Sequence, residues 1–334
     1  MSIALLFAVS IAGWSATGPP DASTYRVAVG PGARPRLFAA ASPQAGGSAI
    51  YRSEDGGASW QPTLRPSLPG DFIALAADPH DADRVFAADF HAGFSMPSST
   101  LYRSLDGGKT WAQRLTVFGP TSCDLAFDSV VAGTLYASYS SRPGLFRSDD
   151  GGETFTELPA PFGGARLASA ADGALIAGVG TVIYVSRNRG GTWTQIPSPV
   201  RCLTISAIAV DPFDAKRWYV GGAGYLFTCG DVARTDDGGS TWTLVSEPGP
   251  VTGLIVDESG SGLLYASTGH LVPSNTPGRA LVSTDGGETW TDLRAPAEAG
   301  CTIALSDDGR WIYAVTDSGL YLRDLRRPAT LAPR

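Results

Sequence analysis

Short apolar runs alternate with glycine- and proline-rich breaks along almost the whole chain. Runs such as FIALAADP (72–79), ISAIAVDP (205–212) and VTGLIVDE (251–258) are brief, rich in β-branched residues and bounded by turn signals. That is the pattern of buried strands. Each is followed across a short turn by a second strand: RVFAAD (84–89), RWYVGG (217–222) and LLYAST (263–268). A third strand, as in TLYRS (100–104) or LFRS (145–148), runs into a polar octet, and the octet's last residue opens a fourth. No amphipathic helical stretch of useful length interrupts this order.

The octet is the strongest repeat. It reads SEDGGASW (53–60), SLDGGKTW (104–111), SDDGGETF (148–155), SRNRGGTW (186–193), TDDGGSTW (235–242) and STDGGETW (283–290). Its closing aromatics, Trp60, Trp111, Phe155, Trp193, Trp242 and Trp290, are 38 to 51 residues apart. That period fits one four-stranded propeller blade. Inner strands are expected near 26–30, 72–78, 123–128, 166–171, 205–211, 252–257 and 301–306, which makes seven blades. The last unit has three strands and no octet, whereas GWSATGPP (13–20) reads as an orphan fourth strand with Trp14 in the aromatic place. Joining the two closes the ring and removes two sheet edges. The fold expected is all-β, a single seven-bladed propeller of antiparallel blades closed by the N-terminal strand.

The chemistry of S-x-D-x-G-x-T-W is that of a tight turn. An Asp or Asn side chain accepts backbone hydrogen bonds, glycine takes up positive φ, and the aromatic buries apolar area. Asn188 replaces the acid in one copy, which a turn tolerates and a general acid does not. Asp55, Asp106, Asp150, Asn188, Asp237 and Asp285 are therefore read as structural.

This motif resembles the Asp-box, or BNR repeat, of sialidases, xyloglucanases, the sortilin luminal domain and a photosystem II assembly factor. The resemblance covers about 310 residues. It implies the propeller fold and places the octets on the face opposite the usual ligand site. One fold hosts many functions, so activity does not follow from it. The Phe/Tyr-Arg-Ile-Pro motif of sialidases is absent. Xyloglucanases of this type resemble two propellers enclosing a cleft with paired aspartates, and this chain has one.

With the family's orientation, the ligand face is built from the connections between second and third strands and between blades. Acids falling there are Asp71, Asp89, Asp124, Asp231 and Asp317. The longer connections, 89–100, 222–231 and 268–278, carry His91, Phe94, Met96, Tyr225, Phe227, His270 and Asn275, and Tyr139 and Arg142 extend the same rim. Ligand-face candidates are His91, Phe94, Asp124, Tyr139, Arg142, Tyr225, His270 and Asn275. No catalytic residue, metal site or cofactor is assigned.

Composition narrows the setting. The 334 residues carry a net charge of −7, and Lys109 and Lys216 are the only lysines, so nucleic acid is not an expected partner. The apolar run Ile3–Ala12, with Ser10 and Ala12 before a small-residue cleavage point, reads as a signal peptide over 1–12. Ten to twelve apolar residues do not span a bilayer. The expected layout is this leader, a propeller over 13–324 and a tail over 325–334, in a secreted or periplasmic monomer. Four cysteines allow three full pairings. Cys202 and Cys229 both fall on the ligand face and are the expected disulfide, while Cys123 and Cys301 are expected as free, buried thiols. The favoured function is non-catalytic binding of a protein, peptide or glycan through the loop-rich face. The alternative is a glycoside hydrolase or lyase using acids at the channel mouth.

Overall fold

The computed structural model describes residues 13–32, 35–43, 47–66, 68–93, 96–141, 144–224, 229–269, 277–296 and 301–326. Its strands form seven four-stranded antiparallel sheets, and no helix occurs among the described residues. Six sheets are consecutive meanders; the seventh has the order of the N-terminal strand Trp14–Ala16 followed by the last three strands in reverse. The inner strands are Ala22–Val29, Asp71–Asp78, Cys123–Phe127, Arg166–Ser169, Thr204–Val210, Val251–Val256 and Cys301–Leu305.

The second strand of each blade explains the packing. It starts with a large residue and continues with small ones: Phe38-Ala39-Ala40, Phe86-Ala87-Ala88, Tyr136-Ala137 and Tyr265-Ala266 are all buried. A strand covered on both faces by neighbouring sheets cannot alternate apolar and polar residues, and the small positions let adjacent blades approach. Gly221 shows how closely, since a Cβ there would lie 2.5 Å from Val251 Cγ1 of the next blade.

The ring closes where the pattern placed it. Trp14 pairs with Arg323 in register, is fully buried, and donates from Nε1 to the Leu293 carbonyl of blade 6 at 2.8 Å. It joins Tyr265, Cys301, Ile312 and Ala314 in one core cluster.

Each octet is a hydrogen-bonded turn. Ser283 Oγ donates to Asp285 Oδ1 at 2.7 Å and accepts from Gly287 N at 2.8 Å, while Thr289 N donates to Oδ1 and Thr289 Oγ1 to Oδ2. The same bonds recur around Asp55, Asp106, Asp150 and Asp237. In blade 4 the Asn188 amide donates to Thr192 Oγ1 at 2.9 Å, so the turn survives with one bond reversed. Gly286 and Gly287, at φ of 72° and 94°, supply the left-handed backbone.

These bonds stabilise the charged carboxylate. The octet hydroxyl, the following backbone N–H and the first serine or threonine hold Asp55, Asp237 and Asp285 at about 2. A carboxyl with a depressed folded pKa contributes stability above its unfolded value of about 4, and that contribution is lost as pH falls toward about 2. Asp285→Asn should therefore differ most from the parent near pH 6, and the gap should shrink to a small fraction by about pH 2. Thermal melts at both pH values check this; a gap independent of pH would contradict it.

Candidate channel-mouth site

Antiparallel pairing puts the start of every inner strand at the same end of its sheet as the connection between second and third strands. Asp71 pairs with Phe90, Cys123 with Tyr139, Thr204 with Ala223 and Val251 with Thr268. The octets, between third and fourth strands, occupy the opposite end.

At this end three inner strands place charges in the channel. Asp124 of blade 3 accepts Leu167 N on Oδ2 at 2.8 Å, and its Oδ1 lies 3.7 Å from Arg166 Nη1 of blade 4. Arg26 of blade 1 senses both Arg166 and Asp124. Arg26 is exposed to channel water, yet enclosure by the walls, and then the nearby Arg166, pushes its pKa below the usual value. Enclosure likewise raises the Asp124 carboxyl, against the pull of the two arginines. Among the described residues no ion pair engages Arg26. The mouth thus holds the Arg166–Asp124 pair and the Arg26 guanidinium.

Of the eight ligand-face candidates, Asp124 is the one whose side chain is both described and open to the channel, 29% exposed. The placement of Tyr139 on the rim is corrected. Its ring is fully buried between blades, edge-on to Phe146 at 6.0 Å, because it ends the second strand opposite Cys123 and points into the inter-blade core. His91 is at the expected end but is also buried, its Nε2 donating to Asp89 Oδ2 at 2.9 Å. Phe94, Arg142, Tyr225, His270 and Asn275 lie outside the described residues, as do 1–12.

Two other acids of this face are buried fasteners. Asp89 accepts Thr100 N, Tyr102 Oη and His91. Asp231 accepts the Arg201 backbone N–H at 2.7 Å and its guanidinium. Beside it Cys202 and Cys229 form a disulfide, with Cα atoms 5.4 Å apart, that ties the blade-5 loop to the preceding connection. Cys202, Cys229 and Asp231 are spaced like metal ligands, but sulfurs bonded to each other offer no thiolate. Cys123 and Cys301 are free and buried, and burial pushes the Cys301 thiol up to about 12. Replacing Cys202 and Cys229 by serine should cost about 3 kcal/mol for a cross-link of this loop length. Melts with and without reductant check this: the parent under reductant should match the variant.

Arg26 and Arg166 are not among the sequence-derived candidates, although each is the single charge of its inner strand, YRVAV (25–29) and RLAS (166–169). No helix is long and apolar enough to cross a membrane among the described residues.

Comparison with known proteins supports the architecture. Residues 181–322 match the family model described as Sortilin, neurotensin receptor 3. A xyloglucanase of Hypocrea jecorina (strain QM6a) is 29% identical over 270 residues, covering 74% of this chain but 29% of the relative, so the chain spans under a third of that protein. Among solved structures, the GH74 enzyme of Niastella koreensis superposes with a TM-score of 0.56 at 19% identity, over 88% of this chain and 62% of the other. YCF48 bound to D1 peptide gives 0.64 at 17% identity, over 98% and 99%. Identities this low speak for fold. Six octets and seven closed blades make the chain a seven-bladed β-propeller, similar over residues 181–322 to the sortilin family model and in fold to these solved structures.

Proposed function

We propose that this chain is an exported, non-catalytic binding propeller whose ligand is a peptide presenting an acidic group to the channel mouth. The observation that carries this reading is the pair of arginines on the inner strands at this end, Arg166 beside Asp124 and Arg26 without an ion-pair partner among the described residues. Two guanidinium groups at the channel mouth favour a carboxylate, which they can bind bidentately. The likeness to YCF48, solved with a peptide bound, supports a peptide as the occupant. The disulfide suits an oxidising compartment. In this reading residues 1–12 are a leader, 13–324 the propeller and 325–334 a tail, and the protein acts as a monomer.

A peptide array probed with the parent and with Arg26→Ala tests it. Bound peptides should be enriched in Asp, Glu or a free C-terminal carboxyl, and the variant should lose at least about tenfold in affinity, the loss of one charge-assisted contact. Binding without that enrichment, or unchanged in Arg26→Ala, would overturn the reading.

One observation favours a second reading. The raised Asp124 carboxyl has the tuning of a general acid, and a xyloglucanase is among the sequence relatives. Release of reducing ends from xyloglucan by the parent, abolished by Asp124→Asn, would decide for a glycoside hydrolase.

A further inference from the structure

On the octet face, adjacent blades are joined by a recurring device. The residue before the octet's first hydroxyl is an arginine in four blades, and its guanidinium reaches the carbonyl of the fourth octet residue of the next blade. Arg52 donates to the Gly107 carbonyl, Arg103 to Gly151 at 2.9 Å, Arg147 to Arg189 at 2.8 Å and Arg234 to Gly286 at 3.5 Å. The first octet's carbonyl, that of Gly56, accepts from Thr17 Oγ1. In blade 4 the arginine is replaced by Val185, which pairs with Ile176 as Arg147 pairs with Tyr136 and Arg234 with Tyr219. Blade 6 carries Val282 there, but blade 7 has no octet to reach. Among the described residues, the Gly238 carbonyl of blade 5 is thus the one in this position that receives no side-chain hydrogen bond from the preceding blade, although Arg187 lies close to the Gly238 Cα.

A cavity of about 420 Å³ occupies this place, lined among others by Val185, Ile196, Gly238 and Ser240. Trp218 stands where blades 1 to 3 carry Leu37, Val85 and Leu135, and its indole takes up part of the missing arginine's volume. The cavity remains beyond it. Arg187 lies at its edge, paired with Asp172 at 3.3 Å.

We propose that the cleft between blades 4 and 5 is a socket for an arginine side chain supplied by a partner protein. The molecule itself shows what fits. In three other inter-blade spaces an arginine guanidinium meets the same carbonyl, and the Arg52 and Arg103 stems lie beside Phe38 and Phe86. Here Val185 and Ile196 supply apolar wall for the stem, and Gly238 the acceptor. This site lies on the face opposite the channel mouth and is independent of the function proposed above.

The test uses amide spectra of the ¹⁵N-labelled protein titrated with Nα-acetyl-arginine methylamide. Gly238, Gly239 and Ser240 should shift with a Kd in the range of about 1–10 mM, typical of one isolated side chain. The citrulline analogue, equal in shape and uncharged, should bind at least about tenfold more weakly, the discrimination expected of a charge-assisted bond. Val185→Arg should abolish the shifts by filling the socket from within, and Val185→Met does so with an apolar plug should the arginine variant fail to fold. Absent shifts at Gly238–Ser240, equal shifts with citrulline, or shifts that persist in the folded variants would each overturn the proposal.

Discussion

Trp14→Ala is expected to lower the melting temperature by about 6 °C, the largest single effect in the molecule. Removing a fully buried indole costs about 3–5 kcal/mol, and in a chain of this length each kcal/mol is worth about 1.5 °C. The position matters as much as the volume. Trp14 lies on a three-residue strand that supplies the fourth strand of the last blade, so its loss weakens the contact that closes the ring. Its Nε1–H bond to Leu293 spans blades 7 and 6 and goes with it. Trp60, an octet aromatic that is only part-buried, provides the comparison: Trp60→Ala should cost less. Thermal denaturation of the two variants decides; equal losses would show that Trp14 is not a closing residue.

Asp89→Ala should be nearly as damaging. Asp89 is fully buried and serves three donors, Thr100 N at 2.7 Å, Tyr102 Oη at 2.8 Å and His91 Nε2. Deleting a buried acceptor leaves each donor with its desolvation cost and nothing in return, about 3–5 kcal/mol for a charged group. The segment affected runs from the second strand of blade 2 into its loop, at the channel-mouth end. The loss should show as a lower denaturation midpoint, and His91→Gln, which keeps a donor, should lose less. If His91→Gln proved the worse variant, the pairing described for Asp89 would be wrong.

Most of the fold was legible because the repeat carries its own reasons. An aromatic, a hydroxyl and an Asp or Asn at fixed offsets specify a turn wherever they recur, and Asn188 shows which atom is needed, a carbonyl oxygen in place of a carboxylate. Trp14 was legible by the same offset. The site was less so, for three reasons. Tyr139 belongs to a strand covered on both faces, so alternation along the chain does not say which way its ring turns; only packing against Phe146 settles that. His91 looked like a free ligand group, yet Asp89, two residues earlier on the same face of the strand, captures it. Arg26 and Arg166 look like ordinary surface charges until ring closure brings blades 1, 3 and 4 around one channel. A register shift between Thr24 and Arg26 further re-aims the first of them, and a bulge leaves no mark in the apolar pattern.

On the proposed function the molecule divides in two: octet acids that build and a channel mouth that binds. The most direct measurement is the affinity of an array-selected acidic peptide for Asp285→Asn and for the double variant Arg26→Ala/Arg166→Ala, at pH 7 and below each protein's melting temperature. The account predicts parent-like affinity for Asp285→Asn and a loss of at least about a hundredfold for the double variant, two charge-assisted contacts together. Loss of binding in Asp285→Asn with the double variant unaffected would contradict it.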